Sequence, residues 1–333
     1  MKICHFAASR GLGRGEVYID LVNRMAETRD DIEVALLAPH DALFRERLSD
    51  RVQFLGYKAK NNRNNPLLWL ECASLLRRFN PELIHTHFAK ATAVYRRIKP
   101  VVGIPFVATK HNPRKGRVFE KIPRVIAVAD IVKQSIGHER VTVIHNGIVP
   151  VQTQRVPREP GSPLRLLTVG RLDPIKAYDK LIRALASYDQ PWTLQLVGEG
   201  EHRTKLEALV DELGLQDRVS LPGFDEEIPQ RMAQCDAFIM SSFSEGCSVA
   251  LLEAMHYAPL VLSTPVGLAP ELFPDWLLWD HDDPATLSPL FDTYDALRER
   301  YAEWASDVLP RFHMDRCVDQ HAVLYSQQIN DHN

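Results

Sequence analysis

The sequence predicts two α/β domains in tandem, each a Rossmann-like, doubly wound parallel sheet. The length of 333 residues is too great for one core and fits two domains of about 150 residues each. Short, continuous apolar runs alternate with amphipathic stretches, which is typical of parallel strands covered by helices on both faces. The alternation stops in a proline-containing segment at 151–163 and then restarts.

The predicted elements divide the chain into a first domain, a linker, a second domain and a C-terminal helix. In a first domain at 1–150, strands are expected at 3–8, 32–38, 83–87, 106–110, 125–128 and 141–144, with helices such as 17–26 and 66–78 between them. After a linker at 151–163, a second domain at 164–310 has strands expected at 164–169, 193–197, 219–221, 237–241, 260–263 and 276–279, separated by helices at 178–187, 202–213, 228–234 and 248–256. Ligands bind such sheets at the carboxyl ends of the strands, so the cleft between the domains is the expected site.

The end of the chain is predicted to be helical. The segment 311–333 is expected to form a C-terminal helix, within a helical pattern that runs from 301 to 329. Its apolar face is expected to consist of Trp304, Phe312, Val318, Ala322 and Tyr325. This face could pack on either domain.

Composition excludes several classes of protein. Apolar residues at 45% and charged residues at 25% are globular values and exclude a disordered or fibrous chain. No apolar run approaches the roughly 20 residues of a membrane span. The five cysteines are scattered without CxxC spacing, and the first residues follow a strand pattern rather than a signal-peptide layout. We therefore expect a cytoplasmic protein without a disulfide framework or zinc cluster.

Charge is divided unevenly along the chain. Residues 1–150 contain 25 Lys and Arg against 14 Asp and Glu, a net charge of +11. The remaining residues contain 15 basic and 29 acidic side chains, a net charge of −14. This asymmetry predicts that the first domain meets an anionic partner, which could be nucleic acid, a phosphorylated glycan or a membrane surface. A basic surface that is merely solvated is the simpler alternative.

A glycine-rich turn follows the first predicted strand. Gly11, Gly13 and Gly15 would let the backbone approach a ligand and aim the N–H groups of the next helix at a phosphate. The spacing is GxGxG rather than the GxGxxG of dinucleotide-binding proteins, and the second predicted strand is not followed by the acidic residue that would hold a ribose. The turn therefore predicts a ligand loop rather than an NAD site.

Two cations follow the first strand of the second domain. Arg171 comes directly after Gly170 and Lys176 follows five residues later, at the predicted carboxyl end of the strand and beside the start of the next helix. Two fixed cations beside a helix N-terminus suit a diphosphate. Solvated turn residues are the alternative interpretation.

Two glutamates flank the start of the helix predicted at 248–256. Glu245 precedes this helix, and Glu253 lies within it among apolar residues. Eight residues correspond to a rotation of about 80° beyond two turns, so the carboxylates would reach different parts of one extended ligand. The N–H groups near Cys247, Ser248 and Val249 would lie between them. Glu245 could instead complement the helix dipole and Glu253 could be solvated, but this does not explain the apolar neighbours of Glu253.

Taken in order, these motifs resemble the retaining glycosyltransferases of family GT4, which have the GT-B fold. The EX7E pair of Glu245 and Glu253 is preceded by Gly170-Arg171 and Lys176 and followed by a Thr-Pro-Val-Gly segment at 264–267. In the first domain, the segments at 85–87, 109–111 and 144–147 fit the same family. The resemblance covers essentially the whole chain and implies a C-terminal helix that crosses back to the first domain.

The resemblance implies roles for individual residues. Glu253 would bind the ribose hydroxyls of a nucleotide sugar, and Glu245 the hydroxyls of the transferred sugar. Donor binding is expected at Gly13, Gly15, Gly170, Arg171, Lys176, Glu245, Gly246, Cys247, Ser248, Val249 and Glu253, and catalysis at Glu245, His111, Arg171 and Lys176. His85 and His87 would support the site. They could alternatively hold a metal, but no carboxylate stands nearby in sequence, so neither metal nor cofactor is expected.

The implied activity is metal-independent transfer of a hexose, with retention, from a nucleoside-diphosphate sugar. UDP is the expected nucleotide, and an anionic glycan or glycolipid such as a lipopolysaccharide core, at the inner membrane face, is the expected acceptor. Candidate acceptor contacts are Arg10, Arg14, Lys58, Lys60, Arg63, Arg114, Lys115 and Arg117. An epimerase of the same fold and a non-catalytic nucleotide-sugar-binding protein are the alternatives. The chain departs from the family pattern at Arg14, Val149, Ala177 and Leu268.

Overall fold

The computed structural model describes residues 1–11, 16–114 and 116–332. The chain divides into two compact units, unit 1 (Met1–Val149 with Phe312–Asn333) and unit 2 (Pro150–Arg311). Each unit contains one parallel sheet with flanking helices, so the predicted α/β fold class is confirmed. The segment 151–163 has neither helix nor strand.

Unit 1 is built on a seven-stranded sheet. Its strands are β1 (Lys2–Ala7), β2 (Glu33–Pro39), β3 (Gln53–Tyr57), β4 (Leu83–His87), β5 (Phe106–Lys110), β6 (Val125–Ala127) and β7 (Val141–Val143). Its first four helices are α1 (Val17–Thr28), α2 (Pro66–Phe79), α3 (Phe88–Val102) and α4 (Asp130–Gln134). The strand order is β3-β2-β1-β4-β5-β6-β7, and all neighbours are parallel. β1 and β4 pair with His5 opposite His85.

Unit 2 is built on a five-stranded sheet. Its strands are β8 (Leu164–Val169), β9 (Trp192–Val197), β10 (Val219–Gly223), β11 (Ala237–Met240) and β12 (Val261–Ser263). Its helices are α5 (Tyr178–Ala186), α6 (Arg203–Glu212), α7 (Ile228–Gln234), α8 (Val249–Tyr257), α9 (Ala269–Leu272), α10 (Ser288–Asp292) and α11 (Tyr294–Val308). The order β10-β9-β8-β11-β12 places β8 and β11 side by side in the middle.

The last helix, α12 (Met314–Asn330), completes the core of unit 1. Its buried residues Met314, Val318, Ala322 and Tyr325 join the apolar cluster formed by β1, β2 and α1. On the surface, Arg24 Nη2 of α1 lies 2.9 Å from Asp315 Oδ2, and Arg29 Nη1 lies 3.1 Å from Asp319 Oδ1. The predicted return of the C-terminal helix to the first domain is therefore observed.

Two expectations about secondary structure are wrong. The apolar run at 276–279 is not a strand: it contributes to a 3-10 turn at Asp275–Leu277, and Leu278 makes a single bridge to Ser263. The helical pattern at 301–329 is interrupted, because α11 ends at Val308 and a 3-10 turn at Leu309–Phe312 contains Pro310, which has no N–H to donate.

That interruption divides the predicted apolar face between the units. Trp304 packs its ring against Phe273 in unit 2, with centroids 5.1 Å apart. Phe312 and the α12 residues belong to unit 1. No helix in the described ranges is long and apolar enough to cross a bilayer.

Candidate active site

Lys176 and Glu245 form an ion pair at the carboxyl edge of the unit 2 sheet. They follow the neighbouring strands β8 and β11, whose parallel pairing brings their carboxyl ends to one edge. Lys176 Nζ lies 2.7 Å from Glu245 Oε1, and the two side chains are only 19% and 15% exposed. Ser242 Oγ donates a second hydrogen bond of 2.7 Å to the same oxygen. The structure thus brings two predicted residues together and adds Ser242, which the sequence analysis did not single out.

Two glycines leave room for this ion pair. A Cβ on Gly170 would lie 3.0 Å from Cε of Lys176. A Cβ on Gly267 would lie 2.7 Å from Cβ of Glu245 and 2.4 Å from the carbonyl oxygen of Gly246. Gly267 also has φ +61°, a left-handed conformation that favours glycine. A side chain at Gly267 would push on Glu245 directly.

Asp173 organises the turn that carries Lys176. Its Oδ1 accepts hydrogen bonds from the backbone N–H groups of Ile175 at 3.0 Å and Lys176 at 3.3 Å. Its Oδ2 accepts one from Arg171 Nε at 2.6 Å. Burial by itself raises the pKa of Asp173, but the hydrogen bonds and charge of Arg171, with the two backbone N–H groups, lower that pKa on balance. Asp followed by Pro at the start of a turn is a capping pattern, so the sequence did contain a signal for this residue.

Arg171 takes a different position from Lys176. Its side chain is 64% exposed and pairs with Asp173, whereas Lys176 pairs with Glu245. The two cations expected to act together are therefore linked through Asp173, which binds the side chain of Arg171 and the backbone N–H of Lys176, while their charged side chains pair with different carboxylates.

The turn that carries Lys176 is fastened to the end of β11. Ser241 Oγ donates to the carbonyl oxygen of Lys176 at 2.7 Å, and the backbone N–H of Phe243 donates to the carbonyl oxygen of Ile175 at 2.8 Å. Ala177 follows in a left-handed conformation with φ +49° and is fully buried. The family pattern has glycine at this position, and the observed conformation gives the physical reason.

Helix α8 carries the other predicted donor residues of unit 2. Ser248 is extended, and the helix begins at Val249, so the N–H groups of its first turn have no partners within the helix. Gly246, Cys247 and Ser248 are buried just before it. Glu253 is half-buried in its second turn.

Five histidines pack together in unit 1. They are His5, His85, His87, His111 and His321. The register of β1 and β4 sets His5 opposite His85, and side-chain alternation points His85 and His87 to the same face of the sheet. His111 directly follows β5, and α12 supplies His321. Sequence analysis singled out His85 and His87 of β4 and His111 after β5. It missed His5 and His321, which only the fold brings near.

Hydrogen bonds connect three of these rings in series. His5 Nδ1 lies 3.0 Å from His87 Nε2, and His87 Nδ1 lies 3.4 Å from His111 Nε2. His85 stands outside this series, because its Nδ1 lies 2.6 Å from the Tyr325 hydroxyl and its Nε2 lies 2.6 Å from the Thr109 hydroxyl. A small cavity of about 20 Å³, room for roughly one water, adjoins His87 and His111.

Burial keeps all five rings neutral. It lowers the pKa of His5 and His111 to about 3, with a smaller contribution from the charge of His321. It lowers the pKa of His321 to about 4 and those of His85 and His87 well below the usual value. The neighbouring rings add to the effect on His85 and His87, because each disfavours a second positive charge nearby.

His5, His85 and His87 also offer a possible ligand set for a metal, since one nitrogen from each lies within 4.8 Å of the others. His5 is the third ligand that the sequence could not supply for the pair in β4. However, both nitrogens of His85 already have hydroxyl partners at 2.6 Å. A metal would have to displace one of them.

The backbone is strained beside His111. Phe88, the first residue of α3, has φ +65°, which is rare for a bulky residue. Its ring stacks on His111 with centroids 4.3 Å apart. Strain of this kind persists only where the surroundings enforce it, and it is common at functional sites.

A basic cavity of about 440 Å³ lies at the end of β1 in unit 1. It is lined by Ala8, Ser9, Arg10, Gly11, Lys60, Asn61 and Lys90. Arg10 also pairs with Asp41 at 2.8 Å, and burial, aided by the charge of Arg10, lowers the pKa of Lys90. Of the predicted acceptor residues, Arg10 and Lys60 line this cavity, whereas Lys58, Arg63, Arg114 and Arg117 are exposed elsewhere. Lys90 was missed, although it lies in the first turn after β4, at the same edge of the sheet.

Four predicted site residues lie outside the described residues. They are Gly13, Arg14 and Gly15 of the glycine-rich turn and Lys115 of the basic segment after His111. On the edges of the glycine-rich turn, Ser9 Oγ lies 3.3 Å from Glu16 Oε1, and Gly11 N–H donates to Ser9 Oγ at 3.1 Å.

Comparison with known families assigns each half of the chain to a glycosyltransferase model. The model described as Glycosyltransferase Family 4 matches residues 13–152, and the model described as Glycosyl transferases group 1 matches residues 152–293. Together they cover most of the chain, from the glycine-rich turn to the end of α10.

Individual relatives agree with this assignment. The lipopolysaccharide core biosynthesis glycosyltransferase LpsD of Rhizobium meliloti is 24% identical, with 99% of each chain covered. A Campylobacter jejuni N-acetylgalactosaminyltransferase acting on a diphospho-undecaprenol-linked sugar is 40% identical over 111 residues, which are 33% of this chain and 30% of the relative. Anabaena HepE, solved in complex with UDP-glucose, superposes with a TM-score of 0.83 at 21% identity, covering 98% of this chain and 100% of HepE.

Proposed function

Since this chain belongs to the GT4-type glycosyltransferases of GT-B fold, we propose that it transfers a hexose from a UDP-sugar to an anionic glycan or glycolipid. We further propose that the anomeric configuration is retained and that neither a metal nor a cofactor takes part. The acceptor hydroxyl attacks on the face from which the diphosphate departs. The protein acts in the cytoplasm, at the inner face of the membrane.

The observation that carries this proposal is the ion pair between Lys176 and Glu245. A lysine held at 2.7 Å from a carboxylate, and mostly buried, is a fixed and poorly hydrated positive charge. Such a charge stabilises negative charge that grows on a leaving diphosphate, which is the task a divalent ion performs in other enzymes. Arg171, on the same Asp173-capped turn, supplies the second cation.

The glutamates divide recognition of the donor. We assign Glu245 to the hydroxyls of the transferred sugar, because it already accepts two hydrogen bonds from Lys176 and Ser242 and has further acceptor capacity. We assign Glu253 to the ribose and the N–H groups at the start of α8 to the diphosphate. His111 is assigned to a hydrogen bond with the transferred sugar. UDP is chosen because HepE was solved with UDP-glucose.

An anionic acceptor is supported by the basic cavity of unit 1. Arg10, Lys60 and Lys90 line it together with the amide of Asn61, and charge-assisted hydrogen bonds from such groups favour phosphate over a neutral sugar. Relatives named for lipopolysaccharide core biosynthesis point to a related acceptor class.

The leaving-group role of Lys176 can be tested by transfer from a radiolabelled UDP-sugar to a phosphorylated core oligosaccharide. Lys176→Ala should lower kcat by on the order of a hundredfold or more, because it removes a charge that acts in the transition state. Lys180→Ala, an exposed lysine one turn further on α5, is the matched control and should keep full activity. Activity should persist in EDTA.

Other outcomes would point to another function. Activity that EDTA abolishes and manganese restores would contradict the metal-independent mechanism. An epimerised donor, formed without acceptor, would identify an epimerase, and tight binding without turnover would identify a binding protein. Retention is read from the anomeric coupling constant of the product in proton NMR, and inversion would refute that part of the proposal.

The acceptor assignment has its own test. The KM for a phosphorylated acceptor should rise steeply with salt, since screening weakens exposed charge pairs, and Lys60→Ala/Lys90→Ala should reproduce that rise in low salt. Loss of binding to anionic vesicles with an unchanged KM for a soluble acceptor would instead make this surface a membrane-docking face.

A further inference from the structure

The series of hydrogen-bonded rings His5, His87 and His111 reaches from the interior of unit 1 to a residue assigned to the sugar. A neutral imidazole carries one N–H, so in each link of such a series one ring donates and the other accepts. Because burial lowers the pKa of all three rings, none gains a second proton at neutral pH. The position of the proton on one ring therefore determines its position on the next.

His5, at the inner end of the series, determines which ring donates in each hydrogen bond. His5 Nε2 is buried and has no hydrogen-bond partner among the described residues. A proton on that nitrogen would leave a buried donor unpaired, and orphaned N–H groups are rarer than orphaned acceptors. The proton of His5 therefore belongs on Nδ1, which donates to His87 Nε2.

We propose that His5 is a positioning residue that, through His87, fixes the proton of His111 on Nδ1. With His87 Nε2 accepting, His87 carries its proton on Nδ1 and donates to His111 Nε2. His111, whose Nε2 accepts from His87, then carries its own proton on Nδ1. The ring thus presents a permanent donor and never an acceptor at that atom.

The assignment of protons to ring nitrogens does not depend on any reaction. Its effect on sugar transfer, however, rests on the proposed function. A fixed donor at His111 suits an oxygen of the sugar, and it spares the enzyme the cost of reorienting a proton during the reaction. The stacked ring of Phe88 at 4.3 Å holds the plane of His111 while the series sets its proton.

The test uses the full chain labelled with ¹⁵N-histidine, in which NMR distinguishes protonated from unprotonated ring nitrogens. In the unaltered protein, His87 and His111 should both be protonated on Nδ1 and not on Nε2. His5→Asn keeps an amide donor near the place of Nδ1 and should leave both tautomers unchanged. His5→Leu removes the donor and should give His111 a mixture of tautomers.

Kinetics give a second, separate measurement. His5→Leu should lower kcat by about tenfold with little change in donor KM, because a residue that fixes the tautomer of a neighbouring ring acts on the chemical step. His5→Asn should restore kcat to within about twofold. Tyr325→Phe removes a partner of His85 in the same core without touching the series, and it should change neither the tautomer of His111 nor kcat.

Three results would overturn the proposal. One is Nε2 protonation of His111 in the unaltered protein. Another is an Nδ1 proton on His111 that persists in a folded His5→Leu variant. The third is one equivalent of metal retained by the purified protein and lost in His5→Asn, because a metal-bound nitrogen cannot take part in the series. If the tautomers are as proposed but the protein transfers no sugar, the proposed function fails and this inference stands.

Discussion

The two units place polar groups in their interiors in opposite ways. Unit 1 buries five neutral histidine rings that bond to one another and to hydroxyls. Unit 2 buries charges in pairs, of which Lys176 with Glu245 and Arg165 with Asp236 are the clearest. A buried neutral network is destabilised when a low pH adds charge to it, whereas a buried ion pair is destabilised when a mutation removes one partner. The units should therefore respond to different perturbations, although their sheets are alike.

Acid should have the largest effect, and it should act on unit 1. Folding lowers the pKa values of all five histidines below their usual value of about 6.5, so their contribution to stability is complete above that pH. It is lost as the pH falls toward the folded values, which are about 3 for His5 and His111 and about 4 for His321. Each ring costs about 1.4 kcal/mol of stability per pH unit in this window, so the five together cost roughly 7 kcal/mol per pH unit. As the pH is lowered, pulsed hydrogen exchange after equilibration at each pH should show the peptides of unit 1 losing protection above pH 5, before those of unit 2. If unit 2 loses protection at a higher pH than unit 1, the histidine network does not make unit 1 the acid-sensitive unit.

Removing one member of a charge pair should have the next largest effect, in unit 2. Asp236 is 3% exposed and accepts three hydrogen bonds from Arg165, two of them at 2.7 Å. Asp236→Ala should lower the free energy of unfolding by about 3 kcal/mol, because it leaves a partly buried guanidinium unpaired. Urea unfolding measures this. The exposed pair of Asp295 and Arg298, at 3.9 Å, provides the control, and Asp295→Ala should have little effect.

A steric change tests how tightly α12 is joined to unit 1. A Cβ on Gly147 would lie 2.6 Å from Cα of Met314, so Gly147→Ala forces the backbone of α12 to move and should cost about 2 kcal/mol. Gly137 has open space around its Cβ position, and Gly137→Ala is the matched control in the same unit. Equal stability of the two variants in thermal unfolding would mean that the backbone of α12 can shift to accommodate the added methyl group at little cost.

The smallest expected effect is a gain in stability in unit 2. Ala177 has φ +49°, so Ala177→Gly relieves left-handed strain of about 1–2 kcal/mol and loses about half of this to the greater flexibility of glycine when unfolded. A net gain of roughly 0.5 kcal/mol should appear as a slightly higher Tm. Ala184→Gly, inside α5, should be destabilising. If both variants lose stability, the conformation of Ala177 is not strained.

The sequence was most informative where a residue follows an apolar strand. Lys176 and Glu245 were singled out this way, because strands of a parallel sheet end at one edge whatever their order, whereas His111 was named by the family resemblance. His5 could not be identified, because its closeness to His87 depends on the register between strands some 80 residues apart. The same limit explains Lys90, whose relation to Arg10 exists only in the folded sheet.

Errors about secondary structure came from local patterns that tertiary contacts override. The run at 276–279 is as apolar as a strand, but only Leu278 finds a strand partner. β3 was not predicted, because Gln53 and Gly56 interrupt its apolar pattern. The segment is nevertheless a strand, because it pairs with β2 along its whole length. Its pairing includes Gly56 opposite Ala38, which no local pattern reveals.

The position of α12 has a consequence for synthesis on the ribosome. The first 149 residues emerge early, but their apolar cluster lacks Met314, Val318 and Tyr325 until the last part of the chain is made. At about 5–20 residues per second, that delay is on the order of ten to thirty seconds. Unit 2, which is continuous in sequence, can fold during this interval. The half of the protein that is translated first is therefore the half that finishes folding last.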